Sequence, residues 1–335
     1  MTARLLIEAT GPLASVQDRG RPGWRRYGVP PSGPVDRRAF AAALAAVGLP
    51  EEAAALELSL GGLTLRCEDA PVSIAVTGGA RATIDGAAVG GWSVARLPPG
   101  ARCRVTMAGN WGYLAVAGAI DRPAWLGSRS THLIAGLGGG RLVAGETLTV
   151  INPRDDIAAA GIPAPDVGPI RAARIVLGPQ ERFFEAAMLA RLTATDFMAT
   201  ARFDRMGMAL DGPPLSPMRV DMPSEPALRG ALQVDGEGRL TMLTADHQTT
   251  GGYPRIAVMI DPDIDLVAQL PAGAPVRFVA VDAAEAVALT RNARIADARW
   301  VAEVAAQRAL RPSLLQANLI GGVVDALDPE APGSG

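Results

Sequence analysis

Glycine, proline and aspartate cut this chain into short apolar pieces, and that punctuation is the strongest constraint on its fold. The pieces "RLLIEA", "LTLRCE", "VSIAVT", "ATIDG", "RCRVTMA", "YLAVAG", "TLTVI", "RIVLG", "LTMLTA", "RIAVMI" and "VRFVAV" are each four to seven residues long. That is a strand length, and the turn residues between the pieces leave little room for helical crossovers. The spacing predicts a mainly β protein of barrels or sandwiches rather than alternating βαβ units. Helices are few. Asp36 is placed to cap "RRAFAAALAAVG", which stops at Gly48. The segment "PQERFFEAAMLARL" reads as a second helix. Residues 283–310 carry apolar side chains at helical spacing and read as a long C-terminal helix.

An internal repeat divides these strands into two halves. Residues 77–105 and 250–278 both begin TGG, both reach Leu-Pro-x-Gly 20 residues later, and share 10 identities in 29 aligned positions. The paired glycines read as a turn feature common to both halves. Between the halves lies "NPRDDIAAAGIPAPDVGP", rich in proline, aspartate and alanine. The expected organisation is a first β-barrel domain over 1–155, a linker over 156–169, a second barrel with its C-terminal helix over 170–310, and a tail over 311–335.

Composition excludes several functions. All 32 basic residues are arginine, so the chain has no lysine for a biotinyl group, a pyridoxal Schiff base or a P-loop. Biotin or ATP chemistry would have to come through a partner. A net charge of −2 without single-sign blocks argues against nucleic acid or anionic membrane as partner. His132 and His247 have no second ligand at metal spacing, so no metal site is expected. Cys67 and Cys103 sit in apolar runs and read as core thiols of a reducing compartment, the cytoplasm, although two cysteines are also enough for one bridge. The N-terminus has no apolar stretch of the secretory type.

Four stretches hold the polar residues. "ADHQTTGGYPRI" (245–256) gathers Asp246, His247, Gln248, Thr249, Thr250, Tyr253 and Arg255 around a glycine pair. It admits two readings, a solvated hairpin tip or the wall of a site. The loop 11–39 is dense in glycine and proline and carries Gln17, Asp18, Arg21 and Ser32 before Asp36. Its glycines would let backbone N–H groups approach a ligand, and its helix start would favour an anion. "LGSRSTHLIAGLGGGRL" (126–142) supplies Arg129, Ser130 and His132, but "GLGGGR" lacks the last glycine of a dinucleotide fingerprint. "FDRMGMALDGPPL" supplies Arg205.

Taken in order, "SVQDRGRPGWRRYGVPPSGPVD", "ALELSLGG", "YLAVAGAID", "LGSRSTHL", "DRMGMALDGPPL" and "TTGGYPRIA" resemble the biotin-dependent carboxyltransferase-like family. That family includes 5-oxoprolinase C subunits, KipA proteins, "allophanate hydrolase subunit 2" and part of urea carboxylase. The resemblance spans roughly residues 5–290. It implies two cyclophilin-like barrels, a B-type (KipI-like) partner and an A-type (LamB/YcsF-like) partner. It also implies one of three roles: ATP-dependent opening of 5-oxo-L-proline to L-glutamate, carboxyl transfer from a partner's carboxybiotin to urea or a similar amide, or non-enzymatic regulation through a KipI-like protein. "PSEPALRG" (223–230) departs from the commoner pattern. The expected site lies where "VQDRGR", "SGPVD", "SRSTH" and "HQTTGGYPR" converge. Arg21 and Arg255 would hold an anion, with Ser32, Asp36, Arg129, Ser130, His132, Arg205, His247 and Thr249 lining it. Gln17, Gln248 and Thr250 would place the amide, and Asp18 or Tyr253 would move a proton.

Overall fold

The computed structural model describes residues 1–165, 170–220 and 222–316. Among these residues it is mainly β with four α-helices, α1 (Arg37–Ala46), α2 (Ala186–Ala194), α3 (Asp261–Ala268) and α4 (Ala283–Gln316). The second half closes on itself. Its seven strands run Ala172–Leu177, Arg255–Met259, Ala231–Val234, Leu240–Leu243, Gly207–Asp211, Asp196–Phe203 and Pro275–Ala280, and the last pairs back, parallel, with the first. The first half is an eleven-stranded branched sheet built on two long strands, Val72–Ile84 and Arg102–Val116.

Each long strand absorbs two of the short runs. "VSIAVT" joins "ATI", and "RCRVTMA" joins "YLAV". The reason is the first TGG. The register slips between Gly78 and Ala80, and a Cβ on Gly79 would lie 2.6 Å from the Gly109 Cα. Here the glycines let two strands cross closely rather than end in a turn. The second TGG differs again, since Thr250–Gly251 forms a two-residue strand against Glu225–Pro226. The shared TGG turn is therefore not present. What the halves do share is the Leu-Pro-x-Gly turn: Ala101 N–H reaches Pro98 O at 3.2 Å and Ala274 N–H reaches Pro271 O at 3.0 Å. Gly100 and Gly273 take φ of 80° and 84°, as that turn requires.

Helix α1 begins where expected, with the Asp36 carboxylate accepting from Ala39 N–H at 3.0 Å. The expected second helix breaks. Glu181–Phe183 forms one 3₁₀ turn, Phe184 and Glu185 are extended, and α2 follows. Helix α3 was not expected. "DPDIDLVA" opens with proline and two aspartates, which suits a first helical turn.

Two boundaries move. Ala160–Gly161 pairs with Ser93–Val94, and Ile157 and Ile162 are buried in the first core, so most of the expected linker belongs to the first half. Its residues 166–169 lie outside the described residues. Helix α4 leaves the second half to pack on the first: Arg38 pairs with Asp297 at 2.7 Å, and Trp300 meets Trp92 edge-on at 5.9 Å. It continues to Gln316, into the expected tail, whose residues 317–335 lie outside the described residues. Trp111 ties the halves together. It sits on a first-half strand, is 1% exposed, and packs in the second half's core against Phe203. Gln269 holds it from both sides, accepting from Trp111 N–H at 3.0 Å and donating to its carbonyl at 2.7 Å.

Candidate functional site

The first loop folds around Asp18. Its carboxylate accepts from Gly20 N–H at 2.9 Å, Ser128 Oγ at 2.6 Å, Arg129 N–H at 2.5 Å and Ser130 Oγ at 2.9 Å. "VQDRGR" and "SRSTH" are thus brought together, but Asp18 is engaged by its own loops and buried. That is the bonding of a clasp, not of an open proton shuttle. Arg21 completes the clasp. It is buried, lies over Trp125 at 5.2 Å, and donates to the Ser32 hydroxyl, the Ser130 carbonyl and the Trp125 carbonyl. Burial holds the guanidinium below its ordinary pKa despite Asp18 and Asp246 nearby. Gln17 donates to Ser15 Oγ and Thr131 O, while its own Oε1 is buried without a partner. Arg129 is exposed, and its guanidinium turns to the Arg122 carbonyl. His132 closes a local turn, its Nδ1 accepting from Ala135 N–H at 3.1 Å.

Below the clasp, a buried ion triad crosses between the halves. Arg205 donates to both Asp246 oxygens at 2.9 Å, to Glu57 and to the Gly33 carbonyl. All three charged side chains are at most 2% exposed. Burial works against the guanidinium's charge, but Asp246 and Glu57 outweigh it and hold the pKa above the ordinary value. Glu57 also accepts from Val35 N–H at 2.8 Å and Tyr113 OH at 2.9 Å, and Tyr113 accepts from Asp36 N–H at 2.8 Å. Arg37 N–H goes to Asp265 at 3.0 Å. The start of α1 is therefore filled by the protein's own carboxylates and phenol, and does not hold the open anion site expected there. Asp36 itself has its pKa pushed up to about 6, by burial first and then by the charge of Asp265. Sequence reasoning missed Glu57, Tyr113 and Asp265. Glu57 stands inside "ALELSLGG", where an acid in a wholly apolar strand was the available signal.

The stretch 245–256 divides three ways. Asp246 and His247 point inward. Leu133 N–H lies 3.4 Å from Asp246, and His247 Nδ1 meets the Gln248 carbonyl at 2.7 Å. That contact makes Nδ1 the protonated nitrogen of a neutral ring, and burial lowers the ring's pKa from its ordinary value. Arg255 turns away from the clasp. It is buried against Gln180 Oε1 at 3.1 Å and the carbonyls of Glu225 and Pro226, fixing the departed loop 223–230 in place. Thr249 holds the same loop through its carbonyl, which accepts from Ala227 N–H at 2.9 Å, and Thr250 and Tyr253 are exposed.

Gln248 lines an open groove. With Gln233, Arg202, Asp204, Met206 and Thr241 it lines a groove of about 470 Å³ on the barrel's outer face. Gln248 Nε2 donates to Gln233 Oε1 at 2.8 Å. A Cβ on Gly251 would lie 3.1 Å from that nitrogen, so this glycine leaves room for the amide pair. Two of the expected stretches, at 203–207 and 248, meet here. Asp204 and Met206 of the groove flank Arg205 of the triad, and neither Arg21 nor Arg255 lines it.

No cluster of three or more metal-ligating side chains occurs among the described residues. Both cysteines are free and buried, and burial pushes the Cys103 thiol up to about 12, an unreactive state. Among the described residues no helix is long and apolar enough to cross a membrane.

Comparison with known proteins gives this geometry a family. The family model "Carboxyltransferase domain, subdomain A and B" matches residues 27–280. The chain is 36% identical to the C subunit of 5-oxoprolinase from Escherichia coli, over 84% of this chain and 93% of that one. It is 34% identical to the C subunit from Haemophilus influenzae over the same shares. The urea amidolyase of Saccharomyces cerevisiae matches at 29% identity over 82% of this chain but 16% of its own length. Among solved structures, TTHA0988 superposes with a TM-score of 0.75 at 30% identity, covering 83% of this chain and 56% of that one. The Kluyveromyces lactis urea carboxylase gives 0.78 at 26% identity, covering 89% of this chain and 29% of that one. The two bacterial relatives are named as subunits of an enzyme, and on sequence and fold alike the chain belongs to the family of carboxyltransferase domains, subdomains A and B.

Proposed function

We propose that this chain is the C subunit of an ATP-dependent 5-oxoprolinase. In this reading it opens 5-oxo-L-proline to L-glutamate together with a B-type (KipI-like) and an A-type (LamB/YcsF-like) subunit. The observation that carries the reading is its match to a 5-oxoprolinase C subunit over 93% of the relative's length, against 16% for a urea amidolyase. The groove supports it chemically. A lactam shows one N–H and one C=O on the same edge. The Gln233–Gln248 pair, having used one donor and one acceptor on each other, keeps the Gln248 Oε1 acceptor and the Gln233 Nε2 donor for such an edge. Arg202, on the groove wall and paired with Asp211, is the cation within the groove for the substrate carboxylate. Tyr253, exposed a few residues beyond Gln248, supplies a phenol for proton transfer. With no lysine in this chain, ATP is used through the partner subunits and no cofactor is held covalently.

Carboxyl transfer from a partner's carboxybiotin to urea or a similar amide is the second reading, favoured by the TM-score of 0.78 to urea carboxylase. One assay separates the two. Glutamate release from 5-oxo-L-proline with ATP is measured in the assembled complex, with and without this chain. Release that depends on the chain supports the first reading. A stable complex that releases none, but carboxylates urea once a biotin carrier is added, overturns it. The complex is expected to work in the cytoplasm.

A further inference from the structure

An aromatic loop at residues 24–27 stands on the surface beyond the site. Trp24 and Tyr27 are 38% and 61% exposed with ring centroids 5.8 Å apart, and Arg26 lies over the Tyr27 ring at 4.8 Å. Neither Arg25 nor Arg26 has a carboxylate partner among the described residues, and Arg25 Nε is buried without any partner. The loop is not adrift. Arg25 donates to the Ala227 carbonyl, which places it beside exposed Leu228. A second loop, carrying exposed Ile134 and Leu137, is tied at Leu133 to Asp246, next to His247, whose ring feels the Arg25 charge.

We propose that these two loops and Leu228 form the docking face for the acidic surface of a separate B-type subunit. The proposal rests on the subunit reading above. At roughly 200 Å² for a whole large side chain, the five apolar residues leave about 500 Å² uncovered. That is a large patch for a monomer and most of the roughly 800 Å² that each partner gives to a standard interface. Tryptophan, tyrosine and arginine are the residue types that concentrate binding energy. The two arginines without carboxylates select an acidic counterpart over a neutral one.

The test is isothermal titration of the purified full chain with the purified B-type subunit of the same source. Arg26→Glu with Tyr27→Ala should weaken Kd by about 30-fold or more, with circular dichroism unchanged. Val279→Ser, on an exposed barrel strand, should leave Kd within about twofold. Salt should weaken the wild-type complex more than the doubly substituted one. Tight binding that is indifferent to the double substitution overturns this face while leaving the subunit reading intact. Folded wild-type chain that does not bind the B-type subunit overturns the subunit reading and the face with it. Self-association of the chain lost in the same variant shows the face is homotypic and also overturns the proposal.

Discussion

Removing the Arg205 charge is the most direct probe of how the halves are held together. In Arg205→Met the side chain keeps most of its volume, but Glu57 and Asp246 stay buried with no cation, and the Gly33 carbonyl loses its donor. Breaking a buried pair from one side costs about 3–5 kcal/mol, because a charge is left uncompensated. An orphaned carbonyl adds about 1 kcal/mol. The expected loss is therefore about 4–6 kcal/mol, read as a lower urea midpoint with fluorescence and circular dichroism followed together. Because the triad spans both halves, the two signals should also separate. Adding Glu57→Gln and Asp246→Asn should recover most of the loss, since amides bury at far lower cost than bare carboxylates. A single substitution costing under about 1 kcal/mol would refute the reasoning, because an exposed pair such as Arg202–Asp211 behaves that way. So would a triple variant no more stable than the single one.

Other expectations follow from named groups. Asp36 has a folded-state pKa of about 6 against an ordinary 3.8, so the folded state holds its proton more tightly. Protonation of this group therefore favours folding as pH falls from above 6 towards 4. Relative to wild type, Asp36→Asn should gain up to about 3 kcal/mol between pH 4 and pH 8 in urea titrations, and a flat difference would contradict the shift. His247 is shifted the other way, so its contribution is full above the ordinary histidine range and is lost as pH falls through it. His247→Asn, which keeps a donor for the Gln248 carbonyl, should show a shallower loss of stability between pH 7 and pH 5. Gly251→Ala should push the Gln248 amide off Gln233 and lower kcat/KM of the assembled complex by about 2–10-fold while Tm stays near wild type. Trp111→Ala should cost about 3–5 kcal/mol, measured by urea denaturation, as the loss of a fully buried side chain between the halves.

The site was legible in sequence only as far as local pattern reaches. A run of glycine, proline and polar residues marks an ordered loop: the first loop closes on the Ser128–Ser130 turn, while Gln248 lines the groove. Which atoms those residues bond is another matter. Arg21 and Arg255 have the same chemistry in sequence, yet one stacks on Trp125 and the other anchors a loop. Gln248 reaches the groove because Gly251 leaves it room, a fact about space rather than composition.

By itself the sequence determined the β-rich character, the start of α1 at Asp36 and the family. Each of these rests on neighbours in the chain, where spacing, capping and turn residues act. Only the tertiary structure decided that Glu57 finds Arg205, 148 residues away, that α4 crosses back to the first half, and that the start of α1 is filled from within. A buried charge must take whichever opposite charge the fold brings within bonding distance, and that choice is made in space, among residues whose separation along the chain carries no signal.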